Sequence, residues 1–275
     1  MHEENAQALA SARQKVAQGR QRLAEQPSEE ASFHELIDGL MELSTAYLYL
    51  EQQDDARTTV QEAVGVCRSL EANHPGKGIG RLALLLDFLS SMQNSAGQSE
   101  DALASVQEAV DLFRKLMATH AEQVLPQLIS SLIGLGIIQQ SLAPMREAVD
   151  LSRTLAEKNP EEFLPQLAES LANLGNQQRE FGLLQEALAT LQEETALHRK
   201  LAQQQPGKAL HRMKLTSCLE HLGTLQWELG QRTQALVSLQ EAVEFLRPLV
   251  EERPEMFFPA LSRCLAMLER KPTPL

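Results

Sequence analysis

A helix-turn-helix pattern that recurs along the whole chain constrains this fold more than any other feature of the sequence. In the clearest copy, residues 159–204, an apolar stripe containing Leu167, Leu171 and Leu174 stops at Gly182, and a second stripe follows it. Apolar residues that recur every three or four positions give a helix one buried face. We therefore expect a helical hairpin here, packed through its two stripes, with Leu171 and the corresponding Leu219 fully buried.

Prolines mark the ends of the successive hairpins. The closing positions are held by Pro27, Pro75, Ala121, Pro160, Pro206 and Pro254, which are spaced by 48, 46, 39, 46 and 48 residues. Proline suits this place because it cannot continue one helix but begins the next one well. The first helices are predicted near 32–50, 79–95, 124–140, 163–180 and 209–229. The second helices are predicted near 54–73, 99–119, 145–158, 184–204 and 232–252, with extra helices at 5–26 and 255–270.

Small residues recur where the two helices of each hairpin should cross. They are followed after twelve residues by an alanine in every copy, in the pairs Ser44 and Ala56, Ser90 and Ala102, Gly136 and Ala148, Gly175 and Ala187, and Gly223 and Ala235. A small residue facing a small residue lets two backbones approach closely. Gly97, Gly182 and Gly230 precede their alanines by five residues, where a left-handed residue ends a helix. The third unit is seven residues shorter, which predicts a second helix about two turns shorter.

At this point the chain resembles the tetratricopeptide (TPR) repeat family. That family combines a Leu-Gly pair in its first helix, a turn glycine, an alanine in its second helix and a closing proline, and here Leu174-Gly175, Gly182, Ala187 and Pro206 follow that order. The resemblance implies an all-α, right-handed α-solenoid of five TPR-like helical hairpins with one extra helix at each end. We expect residues 1–270 to form a single TPR-like superhelical domain and residues 271–275 to be a disordered tail.

Composition and charge exclude several classes of function. The net charge is −12, which argues against a general nucleic-acid or anionic-membrane binder. Residues 28–74 carry ten acids against Arg57 and Arg68, so they form either a solvated outer face or an acidic docking surface. No run reaches the length of a membrane span, and the N-terminus lacks a signal-peptide pattern. We expect a cytoplasmic protein.

No motif predicts catalysis, a cofactor or a metal. The sequence has no glycine-rich phosphate loop, no HExxH and no nucleophile elbow. His198, His211 and His221 are the nearest approach to a metal set, but no Cys or Asp is placed to complete it, so we expect no metal site. The cysteines at 67, 218 and 264 are too few for a disulfide framework, and a small core position explains them best.

Four glutamines follow the crossing residues by three positions, at 93, 139, 178 and 226. A buried glutamine must find partners or cost roughly 1–3 kcal/mol. A structural hydrogen bond is the favoured interpretation, and a ladder that contacts a ligand is the alternative.

In TPR proteins the ligand usually lies on the concave surface made by the first helices. Transferring that pattern residue by residue predicts the partner-binding positions Tyr49, Asp87, Asn94, Asn176, Arg179, Glu220 and Trp227. Only Arg179 among them is basic, so the sequence does not predict the Lys- and Asn-based carboxylate clamp of chaperone-type TPR domains. Trp227 could contact a partner or pack against the next helix.

These observations predict a non-enzymatic scaffold or adaptor that binds a peptide or helix of another protein in its groove. A regulatory or sensor module that controls an associated effector is the first alternative, and a metal-dependent hydrolase is a remote one. We expect no nucleic-acid or membrane partner, and self-association is possible. The sequence leaves open whether the groove or the acidic face of residues 28–74 binds the partner.

Overall fold

The computed structural model describes residues 2–204 and 209–269, which form eleven helices and, within those ranges, no strand. The helices are α1 (His2–Glu25), α2 (Glu30–Tyr49), α3 (Gln53–Asn73), α4 (Ile79–Ser95), α5 (Ser99–Gln139), α6 (Leu142–Lys158), α7 (Pro160–Glu180), α8 (Leu184–Gln204), α9 (Ala209–Glu228), α10 (Arg232–Glu252) and α11 (Pro254–Leu268). Nearly every predicted helix is present within a few residues. Pro206 and the predicted tail, 271–275, lie outside the described residues.

The chain divides into two compact units, Met1–Ser141 and Leu142–Leu275, and each is described by itself. The first contains α1, the hairpin α2–α3, and α4 packed against α5. The second contains α6, the hairpins α7–α8 and α9–α10, and α11. Whether residues 1–270 form a single domain stays a prediction.

The helix turns follow the glycine pattern. Gly97, Gly182 and Gly230 have φ angles of 75°, 73° and 74°, in the left-handed region that glycine adopts without a steric penalty. In the first hairpin the corresponding position is Glu51, which also has a positive φ of 59°. A non-glycine residue there costs roughly 1–2 kcal/mol. The predicted helix stops are therefore confirmed, and the first hairpin makes its turn at a small cost in strain.

Helix α5 joins two of the predicted helices. Its 41 residues run from the second helix of one repeat into the first helix of the next, with a kink at His120 (φ −137°, ψ 42°). Ala121 replaces the closing proline here, so nothing stops the helical hydrogen bonding after a single distorted residue. Among the described helices, α5 alone is long and apolar enough, by length and composition, to cross a membrane. The two parts of α5 on either side of His120 agree with the predicted helices 99–119 and 124–140. The expectation that no run reaches the length of a membrane span was wrong for α5.

The close crossings are present in the α2–α3 and α9–α10 hairpins, and in the latter a Cβ on Gly223 would lie 3.3 Å from the carbonyl oxygen of Ala235. Ser44 donates a hydrogen bond to the backbone carbonyl of Ala56 at 3.2 Å, which requires the backbones of α2 and α3 to be almost in contact. Ala56, Ala102, Ala187 and Ala235 are all fully buried.

Helix α6 is the second helix of the short unit and is 17 residues long, whereas α3, α8 and α10 are each 21 residues long. That helix is shorter by about one turn rather than the two expected.

Three of the four glutamines bind a hydroxyl twelve residues later, on the other helix of the same hairpin. Ser105, Thr190 and Ser238 each donate to the glutamine carbonyl oxygen at 2.8 Å, to Gln93, Gln178 and Gln226 respectively. These glutamines are buried. Gln139 is exposed, and the residue twelve positions later is Leu151. The structural interpretation is therefore correct, with a side-chain hydroxyl as the partner.

Leucines on the inner faces build the core of the second unit. Leu171 and Leu219 are 2% and 0% exposed, as predicted. Leu171 packs with Leu167 and Leu174 of α7, Leu201 of α8 and residues of α6 in one cluster. Because α7 contacts both α6 and α8, its apolar face belongs to the interface between repeats as well as to its own hairpin.

We predict that Leu171→Ala lowers the free energy of unfolding by about 2–5 kcal/mol, because a large buried side chain leaves a cavity. Chemical denaturation followed by circular dichroism measures it. Leu84→Ala is the control, because Leu84 is 52% exposed and should change stability by less than about 0.5 kcal/mol. A loss below about 1 kcal/mol for Leu171→Ala would contradict this account of the α7 core.

The crossing glycines should differ in their tolerance of a methyl group. A Cβ on Gly223 would lie 2.6 Å from Leu239 Cγ, whereas a Cβ on Gly175 would lie 3.5 Å from Thr190 Cγ2, an ordinary contact. We predict that Gly223→Ala destabilises the protein by about 1–3 kcal/mol through overpacking. Gly175→Ala should be neutral or stabilising, because alanine favours the helix. Equal melting temperatures for the two variants would show that α9 and α10 do not approach so closely.

Candidate partner-binding surface

Ion pairs tie the second helices of neighbouring repeats together. An arginine on one helix bonds a glutamate about 40 residues later on the next, in the pairs Arg20 with Glu62, Arg68 with Glu108, Arg146 with Glu186, Arg153 with Glu193, and Arg199 with Glu241. The N···O distances are 2.6–3.0 Å. Exposed pairs of this kind contribute little stability individually. The arginines of these pairs are already bonded to glutamates, so the surface formed by the second helices offers few unpaired cations to a partner.

The acidic stretch 28–74 is largely neutralised inside the first unit. Basic side chains of α1 bond its glutamates, in the pairs Lys15 with Glu42, Arg20 with Glu62, and Arg22 with Glu29 and Glu35. Lys77 pairs with Glu30, and Arg81 pairs with Asp38. The uneven charge of the sequence therefore reflects pairing between neighbouring segments. This favours the interpretation of residues 28–74 as an internally paired face over an acidic docking surface.

A pocket in the second unit gathers polar side chains from α7, α8 and α9, and we call it the α7–α9 pocket. Its volume is about 160 Å³. Its lining residues are Ala172, Gly175, Asn176, Arg179, Ala187, Leu191, Glu194, Lys214, Ser217, Cys218 and His221. Gly175 and Ala187 are a crossing pair, so the absence of bulky side chains at the crossing leaves this space open. Two predicted site residues, Asn176 and Arg179, lie together here.

The cations of this pocket are not consumed by ion pairs. Within the described residues, neither Arg179 nor Lys214 has a carboxylate oxygen within 4.0 Å. Arg179 is half-buried, and Lys214 is exposed. Asn176 and Ser217, both exposed, add neutral hydrogen-bonding groups beside them. The pocket thus presents two free positive charges to whatever enters it.

Buried titratable groups lie at the inner side of the same pocket. Cys218 donates its thiol hydrogen to Glu194 Oε1 at 3.0 Å, and His198 Nε2 lies 3.8 Å from the same oxygen. All three residues are less than 9% exposed. Burial raises the pKa of the Glu194 carboxyl, while the Cys218 hydrogen bond and nearby Lys214 act in the opposite direction. Burial, aided by Lys214 and His211, lowers the pKa of His198 to about 4. The imidazole is therefore neutral at physiological pH.

The predicted site residues of the first unit are separated from one another. Tyr49 is 73% exposed and lines an open pocket of about 690 Å³ between α1 and α2, together with Asp38 and Met41. Asp87 accepts a hydrogen bond from Ser131 at 2.5 Å, and burial raises the pKa of its carboxyl. Asn94 is exposed near the end of α4. Asp87 is thus engaged within the repeat core, and Tyr49 is the most available of the three.

The remaining two predicted residues lie on α9. Glu220 pairs with Arg263 of α11 at 2.5 Å and is only 13% exposed at its side chain. Trp227 is half-buried, with the guanidinium of Arg232 5.9 Å from its ring centroid. A cation over an indole face is attracted by the ring electrons. Trp227 is therefore partly accessible and partly packed. The sequence left open whether it contacts a partner or packs against the next helix, and its half-buried position is compatible with either role.

Sequence reasoning missed Lys214 and Glu194. Lys214 lies one helical turn before Cys218 on α9 and was not among the positions predicted for the concave surface. Its spacing of seven residues from His221 nevertheless places both side chains on one face of α9. No motif in the sequence marks Glu194, one of two adjacent glutamates on α8. The signal that could have found it is the buried register of α8, since Ala187 and Glu194 are also seven residues apart.

Tryptophan fluorescence tests the position of Trp227, the only tryptophan. We predict an emission maximum between those of buried and free tryptophan, with partial quenching by iodide, because the ring is half-buried. Arg232→Ala should increase the quenching without changing the far-UV circular dichroism. Strongly blue-shifted emission that iodide does not quench would contradict this placement.

A family model matches most of the chain in four successive stretches. Its description is anaphase-promoting complex subunit 5, and it matches residues 12–74, 81–136, 135–206 and 204–252. Each stretch contains one complete helical hairpin or its equivalent. A search of curated proteins found no matching sequence.

Three solved structures illustrate the range of similarity to this chain. BtubC (BKLC) from P. vanneervenii has a TM-score of 0.63 at 15% identity, covering 98% of this chain and 95% of that one. A structure of Podosopora anserina putative kinesin light chain TPR-like repeats has a TM-score of 0.46 at 21% identity, covering 73% and 94%. A Rap protein complexed with Competence and Sporulation Factor has a TM-score of 0.48 at 13% identity, covering 95% and 74%.

The match to BtubC, together with the helices of the described residues, confirms the predicted fold class, an all-α solenoid of TPR-like hairpins. At these identities the solved structures show the fold alone, and the family match rests on four successive stretches of the sequence. The chain belongs to the TPR-like repeat family described as anaphase-promoting complex subunit 5.

Proposed function

We propose that this protein is a non-enzymatic protein–protein interaction scaffold that binds a peptide segment of a partner on the surface of its first helices. The observation that carries the proposal is the α7–α9 pocket, where Arg179 and Lys214 have no ion-pair partner among the described residues. Elsewhere in the second unit, arginines at positions 146, 153, 199 and 263 bond glutamates. Free cations in a concavity are typical of a binding site.

The chemistry of the pocket favours a carboxylate from the partner. An arginine guanidinium can donate two hydrogen bonds to one carboxylate, and a lysine ammonium adds a second charge. Asn176 and Ser217 supply further hydrogen-bonding groups at the same opening. The preferred ligand is therefore an acidic side chain or a C-terminal carboxylate of an extended or helical segment. The sequence alone does not predict a carboxylate ligand, because Lys214 is not among the positions that the repeat pattern assigns to the concave surface.

The size of the pocket agrees with a peptide side chain or terminus. Its volume of about 160 Å³ is below the roughly 300–1,000 Å³ usual for small-molecule and cofactor sites. A partner would have to make the rest of its contacts outside the pocket, and Trp227 on α9 is an available aromatic anchor for them. This is the geometry of a scaffold that recognises a short segment of another protein.

The proposal includes a cytoplasmic location and no nucleic-acid or membrane partner. The three cysteines are free and buried, which is usual in a reducing compartment. The TPR-like fold is generally non-enzymatic, and we propose that this member binds without turnover. A net charge of −12 gives no attraction to phosphate backbones or anionic headgroups.

Selection from a peptide library with free C-termini tests this function. We predict that the selected peptides are acidic or need a free terminal carboxylate, and that amidation of the terminus or removal of the acids weakens binding. Arg179→Ala and Lys214→Ala should each weaken a selected peptide by about 10–100-fold in fluorescence anisotropy, because a charged hydrogen bond contributes about 1.5–3 kcal/mol.

Lys200→Ala is the matched control, since Lys200 is exposed on α8, outside the pocket, and the substitution removes the same charge. It should change the affinity less than twofold. Selected peptides that bind the Arg179→Ala and Lys214→Ala variants as tightly as the wild type would contradict a role for the pocket.

A further inference from the structure

Three side chains of different chemistry converge beneath the α7–α9 pocket. Glu194 and His198 are one turn apart on α8, and Cys218 approaches them from α9. One carboxylate oxygen, one imidazole nitrogen and the thiol sulfur all lie within 4.8 Å of one another. Among the described residues, this is the one group of at least three such side chains that satisfies this distance.

The repeat architecture does not require polar residues at these positions. Seven residues after the crossing alanine, where α8 has Glu194, the second helices of other repeats have Ala63, Ala109 and Ala242, all fully buried. Eleven residues after it, where α8 has His198, they have Cys67, Phe113 and Leu246, also buried. Only α8, among these four helices, places a carboxylate and an imidazole in the core.

The polar groups of this cluster are incompletely satisfied by the protein. His198 is 7% exposed, and its Nδ1 atom is buried without a hydrogen-bond partner. Leaving such an atom unpaired costs roughly 1–3 kcal/mol. Burial of Glu194 adds a further desolvation cost. Both residues therefore lower the stability of the metal-free protein, and an ion bound through Nε2, the nitrogen nearer the carboxylate, would offset that cost without giving Nδ1 a partner.

We propose that Glu194, His198 and Cys218 form a binding site for a single divalent transition-metal ion, with Zn²⁺ as the best fit. Zinc takes thiolate, imidazole and carboxylate ligands at about 2.0–2.3 Å. Tetrahedral ligands at those bond lengths are about 3.3–3.8 Å apart. The nitrogen-to-oxygen separation of 3.8 Å fits that range. The sulfur and oxygen atoms are 3.0 Å apart because they share a hydrogen bond, and they would have to separate by roughly half an ångström once the thiol proton leaves. Mg²⁺ and Ca²⁺ prefer all-oxygen sites and are excluded by the thiol and the imidazole.

The charges and protons of the site balance. Binding breaks the S–H bond of Cys218 and releases its proton to solvent, so one thiolate and one carboxylate neutralise the two charges of the ion. The ammonium of Lys214 opposes a cation here, as it opposes the protonation of His198, and the exposure of Lys214 to solvent weakens this opposition. Because Glu194 and Cys218 line the α7–α9 pocket, the fourth coordination position opens toward it. The proposal does not depend on peptide binding, since the three ligands belong to this chain.

Titration of the untagged full-length protein with Co²⁺ after chelator treatment tests the site. We expect one Co²⁺ per chain, with the thiolate-to-cobalt absorption band that reports a Cys ligand, and displacement of that band by Zn²⁺. Cys218→Ser should abolish the band. Cys264→Ser is the matched control, because Cys264 is a buried free cysteine at the corresponding position of α11, and it should leave the band unchanged.

A double variant distinguishes the loss of metal ligands from a loss of Co²⁺ binding caused by misfolding. Glu194→Ala with His198→Leu introduces the pair found in α10, Ala242 and Leu246, so the chain should fold with an unchanged or raised melting temperature. Loss of a residue that only supports a metal ligand weakens metal binding by roughly 10–100-fold, and the double variant, which loses two ligands, should lose more Co²⁺ affinity than that. Zn²⁺ should raise the melting temperature of the wild type and leave that of the double variant unchanged. The proposal is overturned if saturating Co²⁺ produces no thiolate band in the wild type, or if Cys218→Ser keeps it.

Discussion

The contact between a small residue on the first helix and an alanine on the second helix is the constraint on which the hairpins depend. It brings backbones close enough for the Ser44 hydroxyl to reach the carbonyl of Ala56, and for Leu239 to occupy the place of a Cβ on Gly223. Given that approach, the leucines beside it are buried. The glutamine–hydroxyl bonds, such as Gln178 with Thr190, then fix the register of the two helices.

The same crossing creates the candidate binding site. Gly175 and Ala187 have almost no side chain, so α7, α8 and α9 leave a pocket above them rather than a filled core. The polar residues around it divide by depth. Arg179 and Lys214 are accessible at its opening, whereas Glu194, Cys218 and His198 are buried near its floor. One cavity thus combines groups suited to a carboxylate with groups suited to a cation, at different depths.

Much of the fold followed from the sequence because its marks are local. Glycines at 97, 182 and 230 set the turns, and Pro160 and Pro254 begin helices α7 and α11, for reasons that act within a few residues. The two parts of α5 were predicted, but their continuity was not, because the break is the single residue His120 with no proline beside it. The site was only partly predictable. Asn176 and Arg179 came from the repeat pattern, but the meeting of α8 with α9 depends on the packing of consecutive repeats, which no local signal encodes.

Hydrogen–deuterium exchange tests most directly whether the α7–α9 pocket is the working surface. The measurement compares the free protein with the protein saturated by a peptide selected for binding, and it reports local stability along each helix. We predict added protection in the segments around 176–179 of α7 and 214–221 of α9. The face of α3, which carries Glu62 and Arg68 in ion pairs, should remain unchanged. Protection confined to residues 28–74, with none in α7 or α9, would contradict the account.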